Sequence, residues 1–249
     1  MALTLALTAL WAVVIWETLL WFGPGWAAYA PATCQPNCFC ELPRTGELLL
    51  QPANSWSSLG FVAVGGWIAL GAANHYRSAF GILPTLWYGL TAVAIGVGSA
   101  LLHATLTLWG QFADVAGMYL LGAFTLTWAV TRWRNLTATA AIALYLTLVT
   151  ALIALLWVAP ETRRWLFAVL LVVAIAIEWT LARPRRPGIA QHWLLLGLAA
   201  NALAFALWLL DQSRTLCNPT GWAQGHAAWH LLGAVAVLCS YKYYRSERH

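Results

Sequence analysis

Runs of about twenty predominantly apolar residues, separated by short polar breaks, dominate this chain. About 20 such residues in a helix cross roughly 30 Å of hydrocarbon. Eight runs meet that length, at about 4–23, 53–73, 84–106, 111–131, 137–158, 164–183, 192–211 and 222–242. They predict eight spanning helices and no soluble domain, low-complexity tract or tandem repeat. The one substantial loop, about 24–52, holds Pro24, Pro31, Pro36 and Pro43 with Cys34, Cys38 and Cys40. The first run allows two readings. Residues 1–43 contain no Lys or Arg, unlike the basic start of a cleaved signal peptide. Ala28-Tyr29-Ala30 has the small-x-small form of a cleavage site, but Pro31 follows it. The reading taken is a retained helix, residues 1–30, preceding a main domain over 31–249.

Composition agrees with the pattern. Hydrophobic residues make up 61% and charged residues 8% of the chain, against about 25% charged in a soluble domain. So few charges cannot cover a water-facing surface, so apolar side chains must face lipid as well as each other. The 17 Trp suit the two bilayer interfaces. The net charge of +5 comes from residues scattered between apolar runs, which gives no nucleic-acid signal. Eight spans place both termini on one side. That side carries Arg77, Arg132, Arg134, Arg183, Arg185, Arg186, Lys242, Arg245 and Arg248; the other carries Arg44, Arg163, Arg164 and Arg214. The positive-inside rule then makes the termini cytoplasmic and the Cys-containing loop exoplasmic. Short loops and the lack of a soluble domain lead to the expectation of a bacterial inner membrane.

Cys34, Cys38, Cys40 and Cys217 all fall on the exoplasmic side, where disulfides persist. Cys40–Cys217 is the preferred bridge because it would tie the long loop to the last exoplasmic loop, although spacing alone fixes no pairing. Cys239, near the other end of the last span, is read as a free thiol.

Ionisable groups inside a bilayer are costly and mark function. The candidates are Glu17, His103, Asp114, Glu178, Asp211, His226 and His230. Topology brings His103, Asp114, Asp211, His226 and His230 into one leaflet. His226-Ala227-Ala228-Trp229-His230 sets two imidazoles on one helix face, the spacing that clamps zinc in HExxH metalloproteases. No Glu lies between them, so a base would come from elsewhere. His103 can supply a third ligand, and three His with an open position describe a catalytic zinc. Ser99 lies one turn before His103, and Asp114 lies across the short turn from it. Each has a plainer alternative: Asp114 as a partner orienting a ligand His, Ser99 as a small packing residue. Asp211 is read as structural, pairing with Arg214 or capping a helix. Glu17 and Glu178 are left out of the site. His75, His192 and His249 are read as solvated.

These residues resemble the alkaline ceramidase family, within the wider group of seven-helix membrane hydrolases that includes the adiponectin receptors. The likeness runs over about residues 38–245. It rests on Cys40-Glu41 with Gln51-Pro52-Ala53-Asn54-Ser55-Trp56-Ser57-Ser58. It rests also on Ser99 to Thr105 with Gln111 and Asp114, and on Asp211, Cys217 and His226 to His230. The resemblance implies an all-α, multi-pass helix bundle, a seven-helix hydrolase core to which the first run adds a helix. It implies zinc held by His103, His226 and His230, with Ser99 and Asp114 catalytic, and a Cys40–Cys217 bridge. Animal members carry a calcium site in an Asp-Trp-Cys-Glu-x-Asn run with a later Glu. Here those positions read Cys38-Phe39-Cys40-Glu41-Leu42-Pro43, with Gln51 later. Glu41 is the one carboxylate left, and calcium wants about six to eight oxygens, so weak or absent calcium dependence is expected.

The activity implied is hydrolysis of a membrane lipid amide, ceramide to a sphingoid base and a fatty acid. Two other readings compete: a related zinc hydrolase acting on another acyl amide or ester lipid, and a non-catalytic, receptor-like protein with structural zinc. A transporter would show broken helices in repeated halves with polar groups near the midplane, and no such pattern is present.

Overall fold

Each apolar run read from the sequence is helical over most of its described residues. The computed structural model describes residues 2–23, 25–35, 38–72, 78–182 and 189–247. Its helices are α1 (Ala2–Phe22), α2 (Pro52–Ser57), α3 (Leu59–Leu70), α4 (Ile82–Thr105), α5 (Leu108–Arg134), α6 (Ala138–Val158), α7 (Arg163–Thr180), α8 (Gln191–Gln212) and α9 (Gly225–Ser246). Among the described residues there is no strand, and one isolated bridge joins Pro31 to Thr107. The chain is an all-α membrane helix bundle. Among the described residues five helices, α1, α4, α5, α6 and α8, are long and apolar enough by themselves to cross a bilayer. The outward faces of α6 and α8 are apolar, with Ile142, Leu146, Trp157, Leu195, Leu196 and Leu203 exposed. Such faces suit lipid and would be unstable in water. Arg77, Arg183, Arg185, Arg186, Arg248, His75, His249, Pro24 and Pro36 lie outside the described residues.

The run expected over 53–73 is two helices. Pro52 starts α2, where its missing N–H costs nothing. Ser57 and Ser58 then both donate their hydroxyls back to the Asn54 carbonyl, at 3.0 and 2.9 Å. Such back-bonding loosens and bends a helix, and the break falls at Ser58.

The α4–α5 link is two residues long. Leu106 takes a left-handed φ of 48°, a conformation that costs a non-glycine residue about 1–2 kcal/mol. The loop before α2 holds it there. Ala32 N–H donates to the Leu106 carbonyl at 2.8 Å and Leu108 N–H to the Ala30 carbonyl at 2.7 Å. Thr107 caps α5 by accepting from Gly110 N–H at 3.2 Å. Gln111 pins the same loop, its Oε1 accepting from the N–H and hydroxyl of Thr33, each at 3.0 Å.

Close helix contact rests on small residues, as in membrane packing generally. At Gly98 the α5 backbone is so near that a Cβ would stand 2.4 Å from the Ala113 carbonyl oxygen and 2.8 Å from Asp114 N. α1 rests on the bundle through Ile15 and Leu19, which pack with Trp26, Ala100 and Ala104.

At the opposite end of the bundle Arg132 pairs with Glu178, and its Nε donates to Glu247 Oε2 at 3.0 Å. Tyr243 donates to Glu178 Oε1 at 2.7 Å. Arg132, counted from sequence among the cations at the membrane surface, is thus a buried ion-pair residue tying α5 to α7 and to the end of α9. His192 is exposed, as expected, but in the first turn of α8.

Candidate metal centre

His103 comes from the last turn of α4, and His226 and His230 from the first two turns of α9. All three are buried, and one ring nitrogen of each lies within 4.8 Å of the others. His103 Nε2 and His226 Nε2 stand 3.1 Å apart. Zinc–nitrogen bonds of about 2.0–2.1 Å at tetrahedral angles require ligand nitrogens about 3.3 Å apart. The His103–His226 spacing therefore fits two ligands of a small tetrahedral ion, with His230 within 4.8 Å to close on it, and a set of imidazoles suits zinc, copper, iron or nickel rather than calcium or magnesium.

Two of the rings are held in the tautomer such a site needs. Gln51 Oε1 accepts from His103 Nδ1 at 2.9 Å, so the Nε2 lone pair faces the cluster. His230 Nδ1 contacts the Ser57 and Ser58 hydroxyls at 2.8 and 3.3 Å. Those hydroxyls already spend their hydrogens on the Asn54 carbonyl, so they accept from Nδ1–H and leave His230 Nε2 as a lone pair. Ser99 Oγ lies 3.1 Å from that Nε2, and Asp114 on α5 neighbours Ser99. Three buried imidazoles and the buried Ser99 hydroxyl thus stand together, with the half-buried Asp114 beside them on α5.

A stapled loop roofs the cluster. Cys34 pairs with Cys38, and Cys40 with Cys217 across 177 residues. Between the two bridges, the Phe39 ring lies 4.5 Å from His103 and 4.3 Å from His226, centre to centre. Asp211 is fully buried, its two oxygens accepting from Cys40 N–H and His226 N–H, each at 3.1 Å. Of its two expected structural roles, Asp211 takes the helix cap, because the His226 amide in the first turn of α9 needs an acceptor; its other oxygen ties down the loop at Cys40. Glu41 is likewise spent: its oxygens accept from Ala53 N–H at 2.8 Å and Asn54 N–H at 2.9 Å, at the start of α2. Burial raises its pKa against the lowering effect of those amides.

Glu178 lies at the far end of the bundle and Glu17 on α1, neither in the cluster. Cys239 is a buried free thiol. The supporting roles of Gln51, Ser57, Ser58 and Phe39 were not read from the sequence. Their signal was the dense polar run 51–58 at the head of an otherwise apolar span.

Fold and site together define an integral membrane protein with a buried three-imidazole cluster able to hold a metal ion. The family model Ceramidase matches residues 48–248, and the chain belongs to that family. It is thus a membrane hydrolase of a family that acts on ceramide. A comparison with curated proteins gives no significant match. The matched region begins after Cys40 and Glu41, so the roof and α1 lie before it.

Proposed function

We propose that this chain is a zinc-dependent lipid amidase that cleaves the N-acyl bond of ceramides, releasing a sphingoid base and a free fatty acid. The observation that supports it most is the convergence of three buried imidazoles with Ser99 and Asp114 on one side. A structural metal would need no hydroxyl or carboxylate there.

His103, His226 and His230 would hold the metal. When bound, zinc lowers the pKa of water to about 7 and polarises a carbonyl. Asp114 takes the proton from the attacking water and passes it to the leaving amine. Ser99 donates its hydroxyl hydrogen to the developing oxyanion. The Phe39 roof keeps bulk water off the imidazoles, which strengthens every charge interaction beneath it. The substrate comes sideways from the bilayer, since the apolar chains of a ceramide have little solubility in water. In this reading residues 31–249 form the hydrolase domain and α1 is an added span. The site faces the exoplasm of a bacterial inner membrane and the C-terminus the cytoplasm.

The test is fatty-acid release by purified protein in detergent from ceramides, other N-acyl amides and ester lipids, with zinc content measured and His230→Ala alongside. Release from ceramide by wild type and none by the variant is expected. Release from another lipid alone would change the substrate and keep the site. No release by protein carrying one zinc per chain would overturn the enzymatic reading.

A further inference from the structure

We infer that Gln51 is the positioning residue for His103, a neutral bridge that sets its tautomer and ring plane from the stapled roof. The inference rests on the reading that the imidazoles hold a metal.

The bridge has two ends, and both are occupied. Gln51 Nε2 donates to the Glu41 carbonyl at 2.6 Å, and Gln51 Oε1 accepts from His103 Nδ1 at 2.9 Å. The reverse amide orientation would set two acceptor oxygens face to face, so the network fixes which end is which. An acceptor-only contact at Nδ1 admits one neutral tautomer, Nδ1–H with a lone pair on Nε2. That lone pair is the one aimed at His226.

The far end of the bridge is tied down on three sides. The Glu41 carboxylate holds the start of α2, Cys40 beside it is joined to Cys217, and Leu42 N–H donates to the Pro219 carbonyl at 2.9 Å. Gln51 itself is 1% exposed, and its own N–H donates to the His103 carbonyl at 3.0 Å. Backbone and side chain of one residue therefore grip both ends of His103.

An amide is the side chain this geometry requires. It joins an acceptor on one side to a donor on the other with no net charge. A carboxylate at 51 would leave its second oxygen against the Glu41 carbonyl, a contact that a bound cation would have to relieve. Gln51 thus lets the roof orient the ring without an ion between them.

The experiment is zinc affinity, by competition with a chelator of known strength, for the full chain in detergent. Wild type, His103→Ala, Gln51→Leu and Gln51→Glu are compared. Gln51→Leu keeps the bulk and removes the acceptor; about a 10- to 100-fold loss of affinity is expected, the usual scale for a partner of a metal-ligating His. Gln51→Glu keeps an acceptor for Nδ1–H and should bind more tightly than Gln51→Leu and less tightly than wild type. Wild-type affinity in Gln51→Leu, or equal losses in both variants, would overturn the inference. A second readout needs no Gln51 variant: the 15N spectrum of ring-labelled histidine in metal-free wild type, with the His103 signal identified by its loss in His103→Ala. The Nδ1–H tautomer is expected, and the Nε2–H tautomer would overturn the inference. Wild-type protein that binds no zinc would instead overturn the metal reading, and the ring spectrum would still decide the role of Gln51.

Discussion

Gly98→Ala is a one-carbon change that should lower activity about 10²-fold while leaving the metal in place. The new Cβ would stand 2.4 Å from the Ala113 oxygen, 2.6 Å from the Ala113 carbonyl carbon and 2.8 Å from Asp114 N. Ordinary van der Waals contact starts at about 3.4 Å, and these neighbours are backbone atoms that cannot rotate aside. The α4 and α5 backbones must therefore part by about 1 Å at the residue that carries the carboxylate. Overpacking of this kind costs about 1–3 kcal/mol of stability. A displacement of about 1 Å at a reacting group costs about 10²-fold in rate. His103 lies more than a turn beyond Gly98 and is held by Gln51 at both its ring and its carbonyl, and His226 and His230 sit on α9, so zinc content should stay at the wild-type level. The control is Gly66→Ala on α3, where a Cβ meets nothing within 4 Å and stability should rise by up to about 1 kcal/mol. The assay is kcat for fatty-acid release, with zinc per chain and thermal melting in the same detergent. A Gly98→Ala rate within threefold of wild type, or the two variants behaving alike, would refute the argument that this helix contact aims Asp114.

Asp114→Asn should lower kcat by about 10²- to 10⁴-fold and Ser99→Ala by about 10²- to 10³-fold, both with zinc retained; undiminished turnover in either removes that residue from the mechanism. Cys217→Ser should destabilise far more than Cys34→Ser, because the Cys40–Cys217 bridge closes 177 residues and Cys34–Cys38 four. Chain entropy puts them at about 5 and about 2 kcal/mol, and equal melting temperatures for the two variants would contradict this. Burial holds the Glu41 carboxyl above its ordinary value of 4.5, so the folded chain binds that proton more tightly than the unfolded one. The resulting stability is complete below about pH 4.5 and lost as pH rises through the raised value. The wild-type melting temperature should fall across that interval more steeply than that of Glu41→Gln, and parallel profiles would argue against a buried, protonatable Glu41.

The sequence by itself determined the helices and the chemistry they carry. Uninterrupted apolar runs have one satisfactory backbone solution in lipid, so their ends could be placed to within a few residues. Burial of His103, His226 and His230 in such runs was legible because polar groups are too costly there to be incidental. What only the tertiary structure decided is what each polar group touches. Asp211 and Glu41 were visible as carboxylates, yet whether they bind a cation or the amides of a helix start depends on contacts 171 and 12 residues away in the chain. Arg132 read as a surface cation because its partners, Glu178 and Glu247, lie on other elements. The break at Ser58 and the grip of Gln51 on His103 escaped the hydropathy pattern for the same reason. Hydropathy is summed along one segment, whereas a hydrogen bond is set by the meeting of two, and α2, α4 and α9 meet only once the bundle has closed.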